Sequence, residues 1–217
     1  MDAEREPDHV TPRWQRRPEA RAEELVDAAV EVFGEVGFAK AKLEDVARRA
    51  GVSKGTVYLY FASKEALFQE MVRQKIGQHF PEGDALVADR NATSRELLAR
   101  FIHRWWDIAR CASMSRISRI IHSEIGNFPE LARFFVSEVI LRNRRTIRAI
   151  YEAGVARGEF RTVPNDTAIR SIASLIVHGA MYQRFFGPHD PEALTDDQVV
   201  EGILDLVFNG IAAVRQP

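Results

Sequence analysis

Apolar residues return every three or four positions through most of this chain, the period of helices with one buried face. Leu25, Ala28, Ala29, Val32, Phe33 and Val36 form such a stripe and predict a helix over about 19–36, ended by Gly37. Leu43, Val46, Ala47 and Ala50 predict a much shorter one. Gly51 closes it by accepting the left-handed backbone of a helix C-terminus. Ser53 is a good N-cap for a third helix from Lys54 to about Phe61, in which only Val57 and Phe61 share an inward face. Ser63 caps a fourth, through Leu67, Phe68, Met71, Val72 and Ile76, and the pattern then breaks between Gly77 and Asp84, at Pro81 and Gly83.

The remainder reads the same way. Thr93 and Glu96 form a capping box that opens a helix through Leu97, Leu98, Phe101, Trp105 and Ile108. A shorter helix covers about 114–125, and Pro129 starts a long one to about Arg157, stopped by Gly158. Another begins at Pro164-Asn165-Asp166 and runs to Phe186. After a loop, Thr195 and Gln198 form a second capping box for a last helix to about Val214. No stretch sustains strand alternation and no repeat is present, so the fold class is all-α with about nine helices.

The chain has 217 residues, 46% hydrophobic and 28% charged, an ordinary globular composition. Its single cysteine, Cys111, permits no intrachain disulfide and fits a reducing cytosol. No apolar run reaches the length of a membrane span. The first twenty residues lack the apolar core of a secretory signal. HExxH, GxSxG and phosphate-loop patterns are absent and Cys111 has no CxxC partner. Neither an enzyme nor a cofactor or metal site is therefore expected.

The formal net charge is only −1, but its distribution is uneven. Residues 37–64 carry six basic side chains (Lys40, Lys42, Arg48, Arg49, Lys54, Lys64) against two acidic ones, with Arg13, Arg16, Arg17 and Arg21 just ahead. That is an electrostatic footprint for phosphate contacts. In the same stretch two short helices meet at a tight turn. The second shows Lys54, Gly55, Thr56, Tyr58, Leu59 and Tyr60 outward, a surface suited to DNA rather than to open solvent.

The run Gly37-Phe38, Val46-Ala47, Ala50-Gly51-Val52-Ser53-Lys54-Gly55-Thr56-Val57-Tyr58, Tyr60-Phe61 and Ser63-Lys64-Glu65-Ala66-Leu67 resembles the DNA-binding signature of the TetR family of bacterial transcription regulators. It covers roughly a quarter of the chain. The resemblance implies a three-helix helix-turn-helix domain at residues 19–64, preceded by an arm at 1–18 and followed by an effector-binding and dimerisation domain at 65–217. By position, Lys54, Gly55, Thr56 and Leu59 would face base edges, while Lys42, Tyr58, Tyr60 and Lys64 would hold phosphates. Ala41 and Lys42 depart from the family's usual hydroxyl cap on the first short helix, which leaves the role of Lys42 open. The arm's arginines either reach DNA or form a solvated tail.

Specific binding by one such motif normally needs a second copy about one DNA turn away, so the resemblance implies a homodimer on an inverted-repeat operator. The last two helices, apolar on more than one face, are the candidates for its interface. The passage Ile120–Leu131 is similar to AcrR- or AefR-like regulators, which implies a small, largely apolar effector. Candidate pocket residues are Phe101, Trp105, Trp106, Ile121, His122, Phe128, Phe135, Tyr151, His178, Tyr182 and Phe185, a set that also suits an ordinary helical core. Trp105 and Trp106 diverge as helix neighbours, so one is expected to be exposed or at an interface. The expected function is a cytoplasmic repressor released from its operator by the effector. The alternatives are an activator or ligand-independent regulator, and a ligand carrier or enzyme with a vestigial helix-turn-helix.

Overall fold

Helices account for the regular structure among the described residues, 18–164 and 166–212 of the computed structural model; the expected arm lies almost wholly outside them. In chain order they are α1 (Pro18–Val36), α2 (Leu43–Arg49), α3 (Lys54–Tyr60), α4 (Lys64–Lys75), α5 (Phe80–Ala88), α6 (Ser94–Arg110), α7 (Ala112–Glu124), α8 (Pro129–Phe135), α9 (Leu141–Ala156), α10 (Thr167–Phe185) and α11 (Asp196–Ile211). The all-α reading therefore holds, with the short helices where the apolar stripes and caps put them. Both capping boxes form. Thr93 accepts from the Glu96 N–H at 3.2 Å while Glu96 accepts from the Thr93 N–H at 2.8 Å. Thr195 and Gln198 do the same.

Two buried clusters organise the molecule. The first joins α1–α4 to α7 and α8 around Phe33, Phe38, Phe68 and Met71, and so runs through the division expected after residue 64. The second joins α6, α9, α10 and α11 around Phe101, Trp106, Ile147, Ile172 and Phe208. Trp105 packs against both. No helix among the described residues is long and apolar enough to cross a membrane.

Three elements differ from the sequence reading. Pro81 and Gly83 do not break the chain but lie inside α5. Proline is tolerated in a first turn, where its missing N–H would have no intrahelical partner, and Gly83 is buried against Thr146. The long helix expected from Pro129 is interrupted by a π-helical turn, Val136–Ile140, between α8 and α9. Such turns frequently mark functional sites. Neither tryptophan is pushed outside: Trp106 is buried in the second cluster and Trp105 is half-buried between the two.

Candidate nucleic-acid interface and effector cavity

The turn of the helix-turn-helix is built from one glycine and one cap. Gly51, at φ +66°, turns the chain out of α2. Ser53 then accepts the Thr56 N–H at 3.1 Å and pairs with the Thr56 hydroxyl at 2.9 Å. Val57 is fully buried and fixes the inward face of α3. The opposite face is open. Leu59 is 81% exposed and Tyr58 45%, Lys54 and Gly55 are exposed, and Thr56 and Tyr60 are half-buried. A Cβ on Gly55 would approach only the Ser53 hydroxyl, at 3.8 Å, so no packing inside the protein requires a glycine there.

The cations divide into free and occupied. The Lys42 ammonium is exposed and makes no hydrogen bond or ion pair among the described residues, while its backbone N–H donates to Asp45 at 3.2 Å. An ammonium has no acceptor, so only this half of a capping box forms at α2. Lys54 pairs with Glu44 at 2.5 Å and lies 5.5 Å from the centre of the Tyr58 ring. Lys64, expected on a phosphate, is occupied within this subunit. Its Nζ donates to the carbonyls of Phe38 at 2.9 Å, Ala39 at 3.0 Å and Ala41 at 3.5 Å, above the Phe38 ring. An ammonium has three N–H groups, and this one spends them on the loop between α1 and α2.

That loop is gripped from the other side by a residue the sequence did not mark. Glu124, the last residue of α7, accepts from the N–H groups of Phe38 at 3.0 Å and Ala39 at 2.6 Å. Gly37, at φ +83°, is needed twice over: the backbone is left-handed, and a Cβ would collide with the Glu124 carboxylate. Phe128 closes the joint edge-on against Phe38, with ring centres 4.9 Å apart.

Next to this joint is a cavity of about 510 Å³ enclosed by the end of α4 and by α6, α7, α8, α9, α10 and the π turn. That volume lies within the usual range for small-molecule sites. Of the expected pocket residues, Trp105, Ile121, His122, Phe135, His178 and Phe185 line it. Phe101 and Trp106 are instead core residues of the second cluster, and Phe128 belongs to the loop joint. Tyr151 donates to the Arg161 carbonyl and accepts from the Val163 N–H, both at 2.8 Å, away from the cavity. Tyr182 is exposed and donates to Asp190. These five were misplaced for an ordinary reason: an aromatic on an apolar helix face fits core and cavity equally. Arg144, Arg170 and Arg184 also line the cavity and were not foreseen. A usable signal was present, since Arg170 and Arg184 flank Ala173, Val177 and Met181 on one face of α10.

An outward recognition helix in the first cluster and an apolar cavity beside it define a DNA-binding regulator with a small-molecule site. Residues 25–71 match the model for bacterial regulatory proteins of the tetR family. Residues 96–209 match that for the C-terminal domain of AefR-like transcriptional repressors. The chain belongs to the tetR family: it is a DNA-binding transcriptional repressor regulated by small-molecule ligands. It is 27% identical over 147 residues to the fatty acid metabolism regulator protein of Bacillus subtilis, covering 68% of this chain and 73% of that protein. It is 28% identical over 195 residues to the repressor KstR2 of Rhodococcus jostii, covering 89% and 92%. The crystal structure of FadR from Bacillus subtilis in complex with stearoyl-CoA shares the fold, with a TM-score of 0.74 at 22% identity over 87% of this chain and 98% of that one. TetR-family regulators bind operator DNA, dimerise and bind small-molecule effectors.

Proposed function

We propose that this chain represses transcription in the cytoplasm as a homodimer on an inverted-repeat operator. An apolar effector filling the cavity beside α7 releases it. The observation that carries the DNA-binding half is the outer face of α3, where a leucine four-fifths exposed stands beside two phenols and a lysine. Exposing such a residue to water brings nothing to the monomer, whereas the methyl group of thymine is an apolar partner in the major groove. Lys54, Gly55, Thr56 and Leu59 read bases; Tyr58, Tyr60 and Lys42 hold phosphates; Lys64 positions the loop that carries Lys42.

Release follows from the joint. Ile121, His122 and Ile125 line the cavity, while Glu124 between them holds the loop before α2. A ligand that moves this end of α7 therefore moves the reading head. It shifts the equilibrium only by its differential affinity for the two arrangements, so tenfold relief needs about 1.4 kcal/mol of coupling. The stearoyl-CoA bound in the Bacillus subtilis FadR structure supports a ligand with a long apolar chain for this architecture. The test is selection of duplexes from a random DNA library by the purified protein. An enriched inverted repeat is the expected result, and enrichment of unpaired half-sites alone would remove the dimeric operator.

A further inference from the structure

Asn143, Ser115, Ser118 and Ser174 give the cavity neutral polar groups, but its charged lining is of one sign. Arg144, Arg170 and Arg184 line it together with His122 and His178, and no aspartate or glutamate does. None of the three arginines makes a hydrogen bond or ion pair to any described residue. Asp166, whose charge reaches Arg144 and Arg170, is already held by Arg148 through two hydrogen bonds of 2.8 and 2.6 Å. Two donors at this site are also buried without a partner among the described residues, the Arg144 Nε and the Ser115 Oγ. Buried donors are ordinarily satisfied, and leaving one unmade is costly. One partly buried guanidinium with an unmade donor, and two water-exposed ones at the same apolar cavity, suit an anion, which a guanidinium can bind through two parallel N–H groups.

We infer that the effector is an anionic amphiphile: its single apolar tail fills the space among Ile121, Phe135, Val139 and Phe185, and its carboxylate or phosphate head is held by Arg144, Arg170 and Arg184. This deepens the apolar-effector reading and rests on it. Three arginines and no carboxylate line the cavity, so a cationic amphiphile is repelled and a neutral one of the same tail gains nothing from the guanidinium groups. A free long-chain carboxylate and an acyl thioester of coenzyme A share the required chemistry and differ in which anionic group meets the arginines.

The test is calorimetric titration of the full-length protein below the micelle concentration with four probes: palmitate, palmitoyl-CoA, hexadecanol and coenzyme A. One anionic tailed probe should bind at least about tenfold more tightly than hexadecanol, the order of one charge-assisted hydrogen bond. Palmitate leading identifies the carboxylate, and palmitoyl-CoA leading identifies the phosphates. The double variant Arg170→Gln, Arg184→Gln, at two exposed positions, should lose that preference while its hexadecanol affinity is unchanged. Hexadecanol binding as tightly as either anion, or a preference that survives the double variant, would overturn the inference and leave the apolar-effector reading standing. Coenzyme A alone matching palmitoyl-CoA would overturn it too. Failure of all three tailed probes would remove both.

Discussion

Glu44 and Lys54 form an ion pair on the outer face of the helix-turn-helix that a DNA contact by Lys54 would have to reorganise. The hydrogen bond to Lys54 holds the Glu44 carboxyl below its usual range, and the same bond raises the Lys54 ammonium. Both stay charged at neutral pH, so the lysine proposed to read bases carries a local counter-charge that also repels phosphate. Glu44→Gln should raise operator affinity a few-fold and steepen its salt dependence, measured by titration at several salt concentrations. An unchanged affinity would mean that Lys54 reaches no nucleotide. Lys64 leads to the opposite expectation. With its donors spent on three carbonyls, Lys64→Ala should cost about 1–2 kcal/mol of stability in denaturant and leave the salt slope unaltered. A slope lower by about one unit would return it to the phosphate contacts. Its sequence position beside the tyrosines gave no sign of this, because the partners are backbone carbonyls more than twenty residues away.

Glu124 and the loop it holds make α7 the connecting rod. Replacing it by alanine removes two hydrogen bonds to backbone N–H groups whose Gly37 turn is shaped around the carboxylate. Glu124→Ala should weaken operator binding in the absence of any ligand by about tenfold, since hydrogen bonds to charged groups contribute about 1.5–3 kcal/mol. Unaltered operator binding would disconnect α7 from the reading head. The capping box of α6 predicts a pH effect. Hydrogen bonds from the Thr93 N–H and hydroxyl hold the Glu96 carboxyl below its usual range. A depressed folded pKa contributes stability above the unfolded value, lost as pH falls through the folded one. Glu96→Gln keeps an acceptor at this position but removes the titration, so its stability should fall less steeply than wild type on acidification below the normal carboxylate range. Caps, stripes and terminal glycines made most helices legible in advance. What escaped were features set by other elements. Pro81 and Gly83 carry the same signal in a turn as in the first turn of α5, and only the packing of Gly83 on Thr146 decides between them. The π turn at 136–140 changes neither composition nor apolar spacing enough to show. The cavity is a gap between α7, α9 and α10, and a gap has no residues of its own to read.

One subunit presents one recognition helix, so operator specificity depends on how a second copy is attached. The outer face of α11 is where we expect that attachment. Leu206 is 65% exposed, and Gly202 and Gly210 lie one turn to either side of it on the same face. A glycine inside a helix costs about 1 kcal/mol relative to alanine. A Cβ at either position would meet nothing within 4 Å in this subunit, so no internal packing compensates. A leucine ridge bordered by two bare stretches of backbone is what a closely approaching helix requires. Phe186, just past the end of α10, is exposed as well. Because a two-fold axis presents the same patch from both partners, a charge at Leu206 confronts its own copy. Leu206→Glu should therefore yield a monomer in light scattering with helical content and melting of the individual subunit intact, the side chain being mostly in water beforehand. Operator affinity should fall to that of a single half-site, and an isolated half-site should be bound as weakly as the full inverted repeat. A variant that remains dimeric would place the two-fold axis on another face and require the spacing between recognition helices to be derived again from there.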